Sequence, residues 1–285
     1  MGGIGNQMFQ YALGRRLAIK HNTNLKLDLS WYANQTKRDY LLDHFQVNAQ
    51  IASPREVETI TRSTRRDLFS IFSRRYQRLL PYHHRHVILE KKSGFDPHIL
   101  KASSNSYLFG YWQSEEYFKP IEHTIRKEFR LLEDLHPLNQ SYLDKILSSR
   151  AVSIHIRRGD YLDSEISQVY HHCGMEYYQK AMDLIQHDCP NSLFFVFSDD
   201  LEWVQQNLAF GEDICFVDNN QLCRDWETVY LMSQCKHNII ANSSFSWWGA
   251  WLNRDPKKIV VAPQKWFTSP NNSRAQMVPQ KWIQI

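Results

Sequence analysis

Ala151-Val152-Ser153-Ile154-His155-Ile156-Arg157-Arg158-Gly159-Asp160 begins as a strand and ends in two guanidiniums. Val152, Ile154 and Ile156 share one face, and Ser153 and His155 the other, which is the period of two expected of an extended chain. Working outward, the same strand-then-helix pattern repeats. Residues 176–187 place Tyr177, Ala181 and Leu184 at helical spacing, and residues 193–197 form the apolar run of a strand buried on both faces. A helix over 201–208, a strand over 214–217, a helix over 226–235, strands over 238–241 and 258–262, and a short helix from Phe245 complete the series. Alternating strands and helices imply a parallel sheet covered on both faces.

Each strand of this half ends in polar residues: Arg157-Arg158-Gly159-Asp160, Ser198-Asp199-Asp200, Asp218-Asn219-Asn220 and Asn242-Ser243-Ser244. In open parallel sheets, ligands bind beyond the carboxyl ends of the strands, so four such clusters describe a site. The first half is less regular. A glycine turn at 2–5 leads into a helix to about residue 20, residues 25–29 form a strand, and residues 107–113 form another. His136-Pro137 and the polar stretch that follows suggest a boundary near 136–148, giving domains at 1–147 and 148–285.

The arginine pair carries the most chemistry. Guanidiniums grip phosphate oxygens bidentately, so two of them at a strand end form a fork for a diphosphate, and Asp160 is placed to orient one of them. A solvated basic turn is the bland alternative, but the pair closes a buried strand on the ligand edge, which favours the fork. Asn242-Ser243-Ser244-Phe245 opens a helix whose free N–H groups and dipole favour an anion, while serine is also a good N-cap; both hold together. Trp247, Trp248 and Trp251 read as core or domain-interface packing. Ser198-Asp199-Asp200 invites a metal reading, yet a magnesium site needs oxygens splayed around one ion, and the arginines already serve a diphosphate; helix capping or nucleoside contact fits better. The turn at Gly2-Gly3-Ile4-Gly5-Asn6-Gln7 has Met8 where a dinucleotide loop needs its third glycine, so it reads as a polar turn lining a cleft. His171-His172-Cys173 and His83-His84-Arg85-His86 have no acid at ligand spacing and read as solvated.

Composition narrows the field. At 285 residues, with 42% hydrophobic and 22% charged side chains, the chain is long enough for two modest domains and is neither fibrous nor disordered. The net charge of +4 is concentrated between Arg62 and Lys92, where nine Lys or Arg face two acids. Leu68, Phe69, Phe72, Tyr76, Leu79 and Leu80 share one helical face there; a membrane-surface helix and an ordinary amphipathic helix both remain open. The five cysteines form no CxxC and suit reduced thiols in the cytoplasm. A nicotinamide oxidoreductase lacks its glycine fingerprint, no nucleic-acid module is recognisable, and a glycan-binding module without turnover would not need a diphosphate fork.

Together these residues resemble the bacterial α-1,2-fucosyltransferase family over most of the chain. The opening 2–12, Gly110-Tyr111-Trp112-Gln113-Ser114-Glu115, the HxRRxD stretch from His155 to Asp160, Phe197-Ser198-Asp199-Asp200 and Asn242–Trp251 carry the likeness in order. The family usually has a hydrophobic strand ahead of the glycine turn, and an Asp where Thr228 stands here. The resemblance implies an α/β, GT-B-like fold of two Rossmann-like domains facing a cleft, and inverting transfer of L-fucose from GDP-fucose to a galactose-containing acceptor without metal or other cofactor. On this carry-over Arg157 and Arg158 bind the diphosphate, with His155 and Asp160 supporting them. Ser198, Asp199, Asp200, Glu227, Asn242, Ser243 and Ser244 border the donor, and Gly3, Gly5, Asn6 and Gln7 line the N-terminal side. Asp160, Asp39 and His44 are candidates for the base. A lipid-linked acceptor would suit a cytoplasmic enzyme that touches the membrane through 62–92.

Overall fold

A computed structural model of the chain describes residues 1–34, 38–61, 80–91, 94–159, 173–207, 213–268 and 277–285. The chain divides between Arg130 and Leu131 into two compact units. Residues 62–79, with all of the apolar helical face except Leu80, and Asp160 lie outside the described residues.

The first unit opens with helix α1 (Ile4–His21), whose N-cap is Gly3 and whose C-cap, Asn22, takes the left-handed conformation at φ 50°. Next come strand β1 (Lys26–Leu27), strand β2 (Gln50–Ile51), helix α2 (Pro54–Thr61), strands β3 (Val87–Leu89) and β4 (Tyr107–Phe109), and helix α3 (Glu122–Glu128). β1 pairs with β2 and β3 with β4, both parallel, as two separate two-stranded sheets. A cavity of about 1330 Å³ is lined by both β1 and β4, together with Asp28, Trp31, Tyr32 and Tyr40. The buried face of α1 carries Ile4, Met8, Tyr11 and Leu13. Tyr11 packs on Phe129 with ring centroids 5.4 Å apart and donates to Glu128 Oε2 at 2.5 Å, while Arg15 Nε reaches the same carboxylate at 2.9 Å.

The second unit begins with helix α4 (Pro137–Leu147), where a domain boundary was expected. Proline at the first helical position supplies a fixed φ and gives up an N–H that has no partner there, so this X-Pro starts a helix. Then follow β5 (Ala151–Ile156), α5 (Met175–Asp188), β6 (Leu193–Ser198), α6 (Leu201–Asn207), β7 (Ile214–Phe216), α7 (Asp225–Gln234), β8 (His237–Ile239), α8 (Ser244–Leu252), β9 (Val260–Ala262) and β10 (Ile283–Gln284). The strands form one parallel sheet in the order β10-β9-β8-β5-β6-β7.

All six residues of β5 are buried, the polar Ser153 and His155 included. Val152, Ile154 and Ile156 belong to the core that holds Tyr178, Ala181, Met182 and Ile185 of α5. On the other face, Ser153 Oγ accepts from Asn238 Nδ2 at 2.7 Å, which also donates to the Met232 carbonyl at 2.8 Å. Helix α8 packs hard against α7: a Cβ on Gly249 would meet Met232 Cβ at 2.8 Å. Trp247, Trp248 and Trp251 are buried, as their apolar spacing predicts. No helix among the described residues is long and apolar enough to cross a membrane.

Glu227 ties α7 to α4. It is 1% exposed, accepts from Asn139 Nδ2 at 2.6 Å and the His136 N–H at 3.1 Å, and pairs with Arg224 at 2.6 Å. Burial pushes its pKa up, but those hydrogen bonds and the Arg224 charge outweigh burial and hold it below the usual 4.5. Glu227→Ala is expected to cost about 3 kcal/mol by stranding these donors. Because the folded pKa is depressed, the stabilisation is complete above the unfolded value and is lost as the pH falls below it. Chemical denaturation between pH 3 and 7 should therefore show a shallower acid loss in Glu227→Gln than in the parent.

Candidate active site

Sheet order decides where a ligand can sit. From β5 the chain runs outward through β6 and β7, then returns to place β8 on the other side of β5. Beyond the carboxyl ends of β5 and β8 the connections diverge, and such a switch point leaves a crevice. The loop after β5 is Arg157-Arg158-Gly159, and the chain after β8 leads through Ala241 and Asn242 to the start of α8.

β5 and β6 pair in register through Ile156↔Ser198, so residues 157–159 emerge level with Asp199 and Asp200. The Asp199 carboxylate takes the Arg158 N–H at 2.9 Å on Oδ1 and the Gly159 N–H at 3.1 Å on Oδ2. The same Oδ2 lies 3.1 Å from Arg157 Nη1. Asp200 divides its oxygens: Oδ2 accepts from Arg158 Nε at 3.0 Å, and Oδ1 accepts from the Trp203 N–H at 3.3 Å, capping α6. Ser198 Oγ accepts the Asp200 N–H at 3.0 Å, and Asn220 Nδ2 donates to the Ser198 carbonyl at 2.8 Å. The Arg158 guanidinium lies 3.8 Å over the Trp203 ring. Held by Nε and by its face, it has no other partner for its two terminal amino groups among the described residues.

His155, just before the fork, is 3% exposed, and its Nδ1 has no hydrogen-bond partner among the described residues. Its ring lies 5.3 Å from that of Phe245 on α8, linking the β5 side of the crevice to the α8 side. Burial first, and the Arg157 charge second, push its pKa down to about 3, so it is neutral. On α8, Ser243 caps the helix by accepting the Phe245 N–H at 3.3 Å, which leaves Ser244 at its first turn. Asn242 is buried and holds the Trp266 carbonyl at 2.8 Å and Cys173 Sγ at 3.5 Å.

The structure thus joins 157–159 and 198–200 in one hydrogen-bonded cluster, with His155 packed on Phe245 beside it and 243–245 across the same switch point. It gives Glu227 a different task. Both of its oxygens are spent on α4 and Arg224, so the nucleotide role expected of it is corrected to a structural one. Gln7 is likewise a fastener: it is 3% exposed, donates to the carbonyls of Gly2 and Asp39, and accepts from the Leu41 N–H at 2.9 Å. In the same unit Gly3 accepts the N–H groups of Asn6 and Gln7, Gly5 lies inside α1, and Asn6 Oδ1 accepts from Gln113 at 2.7 Å. Asp39 is exposed, and His44 lies 4.0 Å from Asp43. Sequence reasoning missed Trp203; an aromatic three residues beyond an acid that caps a helix was the available signal.

Residues 2–285 match the model of Glycosyl transferase family 11. The chain belongs to that family. An alpha-1,2-colitosyltransferase of Escherichia coli is 35% identical over 302 aligned positions, covering 100% of this chain and 96% of that protein. The O-antigen biosynthesis glycosyltransferase WbnK of Escherichia coli is 32% identical, covering 100% and 98%. Human galactoside alpha-(1,2)-fucosyltransferase 1 is 31% identical over 51% of this chain and 42% of its own length. The crystal structure of fucosyltransferase NodZ from Bradyrhizobium superposes with a TM-score of 0.46 at 15% identity, over 87% of this chain and 88% of that one.

His155 makes the cluster sensitive to acid. The unfolded imidazole protonates near 6.5 and the folded one near 3, so stability is complete above 6.5 and is lost progressively as the pH falls toward 3. Denaturation free energies at pH 7 and pH 5 should fall more steeply for the parent than for His155→Asn. Equal slopes would assign the acid response elsewhere.

Proposed function

We propose that this chain transfers L-fucose, with inversion, from GDP-fucose to the 2-hydroxyl of a terminal β-galactose in a surface glycan such as an O-antigen. Membership of a glycosyltransferase family supports the reaction class, and the names of relatives that transfer fucose or build O-antigen support donor and acceptor. The observation that carries the reading is the Arg157–Arg158 pair at the end of β5, with Arg158 held at Nε by Asp200 and turned over Trp203.

The chemistry follows from where charge develops. The acceptor oxygen attacks the anomeric carbon as the bond to the β-phosphate breaks; the electron pair leaves with GDP, and the hydroxyl proton passes to a base or to solvent. Negative charge grows on the β-phosphate while the sugar becomes oxocarbenium-like. Guanidiniums already fixed beside that phosphate bind the transition state better than the ground state. His155, neutral and buried just before the fork, adds no positive charge of its own to the site. Neutralisation of the diphosphate by arginine makes a divalent metal unnecessary on this reading, and Asp160, Asp39 and His44 stay candidates for the base. The enzyme would act where nucleotide sugars are made, in the cytoplasm, with 62–92 as the segment to test on membranes.

A second donor is favoured by the alpha-1,2-colitosyltransferase relative: an activated colitose, which is fucose without its 3-hydroxyl. Transfer assays with GDP-fucose and GDP-colitose on lactose, with and without EDTA, separate these readings. Turnover of GDP-fucose that survives EDTA is expected. Arg157→Ala and Arg158→Ala should each lower kcat/KM by about 10²–10³-fold, and lysine should restore little, because an ammonium lacks the planar fork. Near-normal turnover in both alanine variants would overturn the proposal.

A further inference from the structure

We infer that Asp199 is the positioning residue of the diphosphate fork: it shapes the 157–159 turn and does not itself touch the nucleotide. The inference rests on the donor reading above and deepens it, since Asp199 was expected to border the donor directly.

Three contacts on one carboxylate carry it. Two successive backbone N–H groups, of Arg158 and Gly159, end on separate oxygens at 2.9 and 3.1 Å, and Arg157 Nη1 reaches Oδ2 at 3.1 Å. All are charge-assisted, and together they fix the turn's backbone and the nearer guanidinium. Both oxygens are therefore engaged by protein donors, while the side chain keeps 25% of its accessible surface. Gly159 is part of the same device: a Cβ there would stand 2.9 Å from Asp199 Oδ2, so the carboxylate reaches the turn because that residue has no side chain. In-register pairing of β5 with β6 delivers Asp199 to this point. Asp200 does parallel work on Arg158 Nε, but its other oxygen is taken by α6, whereas both oxygens of Asp199 serve the turn.

The two roles open to Asp199 predict opposite signs. A carboxylate that merely sits beside a diphosphate repels it, so removing the charge would tighten GDP binding. A carboxylate that holds the turn in shape helps GDP through the arginines, so removing it would weaken GDP. Guanosine, which has no phosphate, reports on the nucleoside part of the site alone.

Calorimetric titration of GDP and of guanosine into the parent, Asp199→Ala, Asp199→Asn and Gly159→Ala, with thermal midpoints for each, tests this. Asp199→Ala should raise the Kd for GDP at least about ten-fold while the guanosine Kd stays within about two-fold, because charge-assisted hydrogen bonds to the turn are lost. Asp199→Asn, which keeps one acceptor, should fall between. Gly159→Ala displaces the carboxylate without removing its charge and should give the same GDP-selective loss, so the inference stays testable if Asp199→Ala does not fold. GDP bound as tightly as by the parent, or more tightly, in Asp199→Ala or Asp199→Asn overturns the inference alone. Equal losses for GDP and guanosine also overturn it, by making Asp199 a general structural residue. Failure of the parent to bind GDP overturns this inference and the donor reading together.

Discussion

The in-register parallel pairing of β5 with β6 is the constraint on which the site depends. Six consecutive residue pairs, from Ala151↔Leu193 to Ile156↔Ser198, end level with one another. A one-residue slip would turn Val152, Ile154 and Ile156 away from the helices they pack against, so burial fixes the register tightly. Once it is fixed, the turn after one strand and the acids after the other have nowhere to go but against each other. Hydrophobic packing in the sheet thus places Asp199 within hydrogen-bonding range of a turn 40 residues earlier in sequence.

Charge placement follows the same logic. The acids at the end of β6 are spent on two backbone N–H groups, two guanidiniums and a helix start. A divalent cation at this point would have to take those oxygens from arginines that already hold them. An anion needs no such exchange in the case of Arg158, whose Nε and ring face are used and whose terminal amino groups have no partner among the described residues. On the proposed reading the donor set serves a phosphate rather than a metal, because the carboxylate oxygens are already bonded.

Legibility in the sequence tracked the range of the interactions. β5 and β6 were plain because periodicity and apolar runs are local signals, and the polar clusters at their ends marked the ligand edge. His136-Pro137 reads as a boundary because a proline can break a chain or start a helix, and here it starts α4. β3 sits in a basic stretch and β10 is two residues long, too short for any pattern. Glu227, like Asp225, is a candidate for the nucleotide only because the family's Asp is replaced here by Thr228. Its real partners, His136 and Asn139, lie 91 and 88 residues away, and no local pattern encodes them. Gln7, read as part of a polar turn lining a cleft, is buried with its amide bonded to Gly2, Asp39 and Leu41, partners that no local pattern encodes.

What the fork gains from so much internal bonding is rigidity. An arginine free in solvent has several rotatable bonds to freeze when it meets a phosphate, and that ordering opposes binding in ground and transition states alike. Arg158 has already met that cost in folding, through Asp200 at Nε and Trp203 under its face, so on the proposed reading its charge is in place before a leaving phosphate develops its own. Burial supports the arrangement at its root, since His155 sits neutral beneath the arginines and adds no competing positive charge. A preorganised cation lowers the barrier in proportion to how little it must move. On the proposed reading, the hydrogen bonds behind the guanidiniums matter to the chemistry as much as the guanidiniums themselves.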